Sequence, residues 1–107
     1  MGDTVPARDC GGVLGRARLD GVTLRLWGEV DYQVVGLDGP AVLAGVSRGD
    51  ETLRIEASRV TFLDSAALSF LVRVVGCVDR AVLVGASVAV LDMLTMTGTL
   101  ALFDGPE

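Results

Sequence analysis

The spacing of apolar residues changes period along this chain. Around Asp20-Gly21 they recur at every second position, whereas after Asp64-Ser65 they recur at three- and four-residue intervals. An all-helical or all-strand architecture accommodates only one of these patterns. Val13 to Leu19 and Val22 to Trp27 flank the Asp20-Gly21 pair, and such a pair between two extended runs signals a two-residue hairpin. In the second run Val22, Leu24 and Leu26 alternate with Thr23, Arg25 and Trp27, which turns one face to a core. Gly28-Glu29-Val30-Asp31 is expected to leave the strand. The segment to Val46 reads as helical but interrupted by Gly36, Gly39 and Pro40, with a helix starting near Pro40 and Asp38 close to its cap. Arg48-Gly49-Asp50 reads as a turn, and Leu53, Ile55 and Ala57 alternate with Thr52, Arg54 and Glu56 as a third strand.

Ser58 to Leu63 then carries the chain to Asp64-Ser65, where either side chain can accept from the unpaired N–H groups of a helix's first turn. Leu68, Leu71, Val72 and Val75 follow at the spacing of one buried stripe, and Ser65, Ser69 and Arg73 share a polar one that turns Ser65 to solvent. Gly76 ends this helix. Ala81 to Val84 reads as an inner strand covered on both faces, Ser87 as the cap of a helix running through Met96 and ended by Gly98, and Leu100 to Phe103 as a final strand. A hairpin followed by alternating helices and strands predicts a single-domain α/β layer structure with a mixed β-sheet and packed α-helices. The domain is expected to span residues 13–104, after a flexible lead-in over 1–12 and before a tail over 105–107.

Composition narrows the chemistry. The chain has 107 residues, half of them hydrophobic, which suits one self-folding domain. Acids outnumber bases 14 to 9 for a formal charge of −5, which disfavours a sequence-independent grip on nucleic acid or an anionic bilayer. There is no histidine, and all the bases are arginine, which removes the imidazole base, the lysine Schiff base and histidine metal ligands. No enzyme, cofactor or metal is expected. Cys10 and Cys77 stand in unlike surroundings and read as reduced thiols of a cytoplasmic protein. The apolar run Ala81 to Leu91 is halted by Asp92, well short of the ~20 residues of a membrane span. Trp27 is expected either half-buried at the sheet end or in contact with a partner.

Asp64-Ser65 admits two readings. One is a helix cap alone; the other is a regulatory phosphorylation site, because a phosphoryl group on Ser65 brings about −1.5 to −2 charges to a place where the helix dipole tolerates an anion. A partner packed over the helix mouth would not tolerate it, and Asp64, with Asp31 if it lies nearby, would add repulsion.

Gly28-Glu29-Val30-Asp31 after a strand, then Phe62-Leu63-Asp64-Ser65-Ala66-Ala67-Leu68, then Ala86-Ser87-Val88-Ala89-Val90 leading to Thr97-Gly98, resemble in that order the STAS domain of the bacterial anti-sigma factor antagonist family. The resemblance implies a cytoplasmic protein that binds an anti-sigma factor with serine-kinase activity, frees the sigma factor, and is switched off when Ser65 is phosphorylated. It implies a partner-binding surface of Glu29, Asp31, Asp64, Ser65, Ala66, Ala67 and Ser69. The family usually carries a hydroxyl residue and a glycine where Ala66 and Ala67 stand. The stretch between Ser65 and Ser87 is also about one helical turn shorter than in typical relatives. The alternative implied is a STAS module that is never phosphorylated and serves in a signalling complex or a transport assembly.

Overall fold

The computed structural model describes residues 13–46 and 52–104. Strands β1 (Leu14–Asp20) and β2 (Thr23–Val30) are followed by helix α1 (Tyr32–Val46), strand β3 (Thr52–Leu63), helix α2 (Ser65–Val75), strand β4 (Arg80–Ala86) and helix α3 (Val88–Thr97), and a 3-10 turn covers Leu100–Leu102. The four strands form one mixed sheet in the order β1-β2-β3-β4, antiparallel at the hairpin and parallel elsewhere. The expected α/β class and opening hairpin are both present. Ala17, Leu24, Leu26, Leu53, Ile55, Ala57, Ala81 and Leu83 form the apolar side of the sheet. They share one core with Val34 and Val42 of α1, Phe70 and Leu71 of α2, and Val90 and Leu94 of α3. The helices therefore form a single layer against that side.

The local differences from expectation have physical causes. Asp20 pairs with Thr23, so the hairpin loop is Gly21-Val22, with Gly21 left-handed at φ 64 and Val22 exposed rather than in the core. α1 is unbroken through Pro40. It buries Val34, Asp38, Val42 and Val46 at four-residue intervals, and the stripe is apolar except for Asp38, which is no cap. Pro40 and Gly36 are both exposed, so water can serve the Gly36 carbonyl that proline deprives of its helical donor. Ser58 to Leu63 is strand rather than connector.

In α2 the buried stripe is Ala67, Phe70, Leu71 and Val74. Val72 is exposed and Leu68 and Val75 only half-buried, so the expected stripe is rotated. β4 is an edge strand, not an inner one, though Ala81, Val82 and Leu83 are buried. Its outer side is met by Asp104, whose N–H donates to the Ala81 carbonyl at 2.8 Å. Leu100 to Phe103 is a 3-10 turn followed by this one bridge instead of a last strand. Ser87 and Gly98 cap α3 as expected. Cys77 is exposed and unpaired. Cys10, the lead-in, the Arg48-Gly49-Asp50 turn and the tail lie outside the described residues. No helix among the described residues is long and apolar enough to cross a membrane.

Candidate functional site

β2 and β3 are parallel neighbours that stop side by side, Val30 opposite Leu63, and each runs directly into a helix. The start of α1 and the start of α2 therefore open at the same end of the sheet. Gly28 makes this possible on β2. Its φ is 74, and a methyl there would collide with the Leu14 carbonyl oxygen and the Gly15 backbone. A register shift between Gly28 and Glu29 then re-aims the strand, as a bulge does. Asp31 thereby lands at the head of α1, where its Oδ1 accepts from the N–H groups of Gln33 at 3.0 Å and Val34 at 3.2 Å.

Asp64 joins the two helices. Its Oδ1 accepts from the Ala67 N–H at 2.8 Å and so caps α2, while its Oδ2 accepts from the Tyr32 N–H at the first position of α1, at 3.0 Å. Its own N–H donates to the Val30 carbonyl at 3.3 Å. One carboxylate thus serves two helix N-termini, each with the partial positive charge of its dipole. Ser65, the first residue of α2, is exposed, and its hydroxyl makes no hydrogen bond among the described residues. The first-turn N–H groups of Ser65 and Ala66 have no helical acceptor.

The structure therefore brings Asp31, Asp64, Ser65 and Ala66 to one mouth. Glu29 stands one strand over, opposite Phe62, and Ser69 is exposed one turn further along α2. Ala67 is a correction: its side chain is fully buried in the core, because the capping geometry turns the third residue of α2 inward, so only its N–H serves the mouth. Ser87 does not join the site. Its N–H meets the Ala57 carbonyl, six residues before Leu63 on β3 and so about 20 Å back along the strand. Two exposed aromatics at the mouth were not foreseen from the sequence, Tyr32 at the head of α1 and Phe62 near the end of β3. The signal available was an aromatic beside each of the two acid-led helix starts. Trp27 lies not at the sheet end but between Arg16 and Arg59 on the neighbouring strands, half-exposed on the side away from the helices.

A second carboxylate site lies at the β1 edge. Asp38 is buried and accepts from Arg16 Nε at 2.9 Å, from the second guanidinium nitrogen at 2.9 Å and from the Ala17 N–H at 2.8 Å. Burial pushes its carboxyl up, but these donors outweigh it and hold the group below its ordinary value. Among the described residues no group of three or more possible metal ligands is present.

A scan against protein-family models and a search of curated proteins each found no match for this chain. Among solved structures, the unphosphorylated form of the anti-sigma factor antagonist SpoIIAA is similar over 87% of this chain and 88% of its own, with a TM-score of 0.69 and 17% sequence identity. At that identity the likeness is one of fold.

Proposed function

We propose that this chain is an anti-sigma factor antagonist of the STAS type, which docks a kinase-type anti-sigma factor over the mouth formed by α1 and α2 and is released when Ser65 is phosphorylated. The observation that carries this reading is the exposed Ser65 hydroxyl beside a carboxylate shared by two helix starts. Ser65 is accessible to an incoming kinase, and it sits on the dipole and free N–H groups that let a helix start accept an anion without unfolding. A dianion added there meets Asp64 at once and Asp31 across the mouth, so a docked protein would have to desolvate clustered like charges. Ser65 has no imidazole or amine beside it to activate its oxygen, and it acts as a passive acceptor; the phosphoryl chemistry belongs to the partner.

The fold likeness to an anti-sigma factor antagonist supports the same reading. Ala66 favours the second one, an STAS module that docks without being phosphorylated, because a partly exposed methyl stands beside Ser65 where the resembled family carries a hydroxyl residue; Ala67 adds no obstacle, since its methyl is buried. The deciding experiment is incubation with a kinase-type anti-sigma factor and ATP, followed by intact-mass and peptide mapping. One phosphate on Ser65, with loss of the complex, is the expected result. A stable complex that remains unmodified in ATP would end the switch and leave the docking module.

A further inference from the structure

We infer that the side of the sheet facing away from the helices is a docking surface for an acidic, extended segment of a partner protein, with Trp27 as its apolar anchor and Arg18, Arg25 and Arg59 as its carboxylate ligands. This surface is separate from the Ser65 mouth, and the inference does not depend on the function proposed for it.

Three observations carry it. The first is architectural. Parallel strands are normally covered on both faces, yet all three helices pack against one side of β2, β3 and β4, and Arg18, Arg25, Trp27 and Arg59 on the other side are exposed. The second is charge. In a chain of net charge −5, this side gathers arginines on three adjacent strands, with Arg18 directly opposite Arg25. Like charges in direct cross-strand register destabilise a sheet, and among the described residues neither guanidinium has an ion pair; Glu56 opposite Arg25 and Asp38 near Arg18 offset the repulsion only through space. The guanidinium groups of Arg18, Arg25 and Arg59 donate no hydrogen bond among the described residues. Glu56 faces Arg25 in register and lies within electrostatic reach of Arg25 and Arg59, but it is a single acid among three arginines, and its carboxylate accepts instead from the Ser58 N–H at 3.1 Å and the Ser58 hydroxyl at 2.7 Å.

The third is shape. The register of β2 against β3 shifts between Arg25 and Trp27, since Arg25 pairs with Glu56 and Trp27 with Arg59. The extra residue on β3 opens a cleft of about 520 Å³ lined by Arg25, Trp27, Glu56, Ser58 and Arg59. Tryptophan and arginine are the side chains that most often dominate protein interfaces. The three cations span three strands, about 10 Å across, which is too wide for one carboxylate and suits several along an extended segment. A polynucleotide is the weaker occupant, since the acidic remainder of the molecule repels phosphates beyond the patch.

Trp27 is the only tryptophan of the chain, so its fluorescence reports on the cleft directly. The probe is a synthetic oligoglutamate peptide with one central leucine, titrated at low salt against its glutamine counterpart and against oligothymidylate. Expected are a saturable Trp27 response to the glutamate peptide alone, weakening with added salt, and a loss of affinity of about tenfold or more in the Arg25→Gln, Arg59→Gln double variant. Circular dichroism and thermal melting of the variant establish that it is folded; if it is not, Arg18→Gln, at the sheet edge, is used in its place. The inference is overturned by no response to the glutamate peptide, by an equal response to the glutamine peptide or in the folded variant, or by tighter binding of the oligothymidylate. It is equally overturned if sedimentation without peptide reveals self-association that the same arginine changes abolish, since the occupant is then a second copy of this chain.

Discussion

Asp38, in the middle of α1, and Asp64, at the head of α2, each tie a helix to a neighbouring element, yet the β1 edge and the helix mouth use the carboxylate in opposite ways. At the edge the charge is neutralised where it stands: Asp38 is buried, and both of its oxygens are held by Arg16 while one also takes the Ala17 N–H. At the mouth Asp64 is half-exposed and held by two backbone N–H groups, and neither it nor Asp31 has an ion pair among the described residues. A neutralised carboxylate fixes structure and has little left to offer a ligand. One held only by backbone dipoles keeps its net charge, and a docking protein or a new phosphate must reckon with it.

The largest expected effect of a single change therefore falls at the edge. Asp38→Ala leaves the buried Ala17 N–H without an acceptor and frees a half-exposed guanidinium to water, a destabilisation of about 2 kcal/mol by chemical denaturation. Binding at the mouth should be unchanged. The same site sets a pH signature. Because the folded-state carboxyl lies below its unfolded value, its contribution is fully present at neutral pH and above about pH 4, and is lost as pH falls through the folded value. Acid titration of Asp38→Asn should give a shallower fall in stability below that point than wild type. An identical profile would mean that the Arg16 pair does not hold the proton off.

The same contrast decides what the sequence could reveal. The mouth was legible because its parts are local: Asp64 caps its own helix three residues on, and the hairpin that sets up β2 follows from alternation and one Asp-Gly pair. The edge was not. Asp38 interrupts an otherwise apolar i, i+4 stripe of Val34, Val42 and Val46, and only a partner twenty-two residues away makes a buried charge acceptable. Without Arg16 in view, Asp38 before Gly39-Pro40 reads as a cap. The stretch Ser58 to Leu63 failed for a related reason. The register shift displaces its alternation, so Ser58 and Arg59 are both exposed in succession, and a bulge has no period of two. The second bond of Asp64, to Tyr32, was hidden because it depends on strand order, which local spacing does not encode.

A smaller effect is expected at the mouth. Asp64→Ala removes the acceptor for one N–H on each of two helices, and helix-cap losses of this kind cost about 1 kcal/mol. Since the Tyr32 N–H is exposed, water recovers part of that on the α1 side. Asp64→Asn keeps an oxygen for one helix and discards the charge, so it should be the milder change in stability and the more informative one for binding. If the acids at the mouth repel the phosphorylated state, partner affinity after modification should fall less in Asp64→Asn than in wild type, measured by titration calorimetry of both forms. An equal fall in both would assign the switch to steric bulk at Ser65.

The smallest stability effect and the sharpest functional one coincide at Ser65. Its side chain is exposed and hydrogen-bonds nothing among the described residues, so Ser65→Ala should melt within about 0.5 kcal/mol of wild type and bind the partner as well as wild type does. Ser65→Asp adds one negative charge at a helix start, where the dipole offsets its cost to the fold, so its stability should also stay close to wild type. Its affinity for the partner should nonetheless drop, and part of the loss should be recovered in added salt, because charges at an exposed surface are screened. Equal affinities for the alanine and aspartate variants would leave the mouth with no more than its capping role, and the contrast with Asp38 would reduce to one of burial.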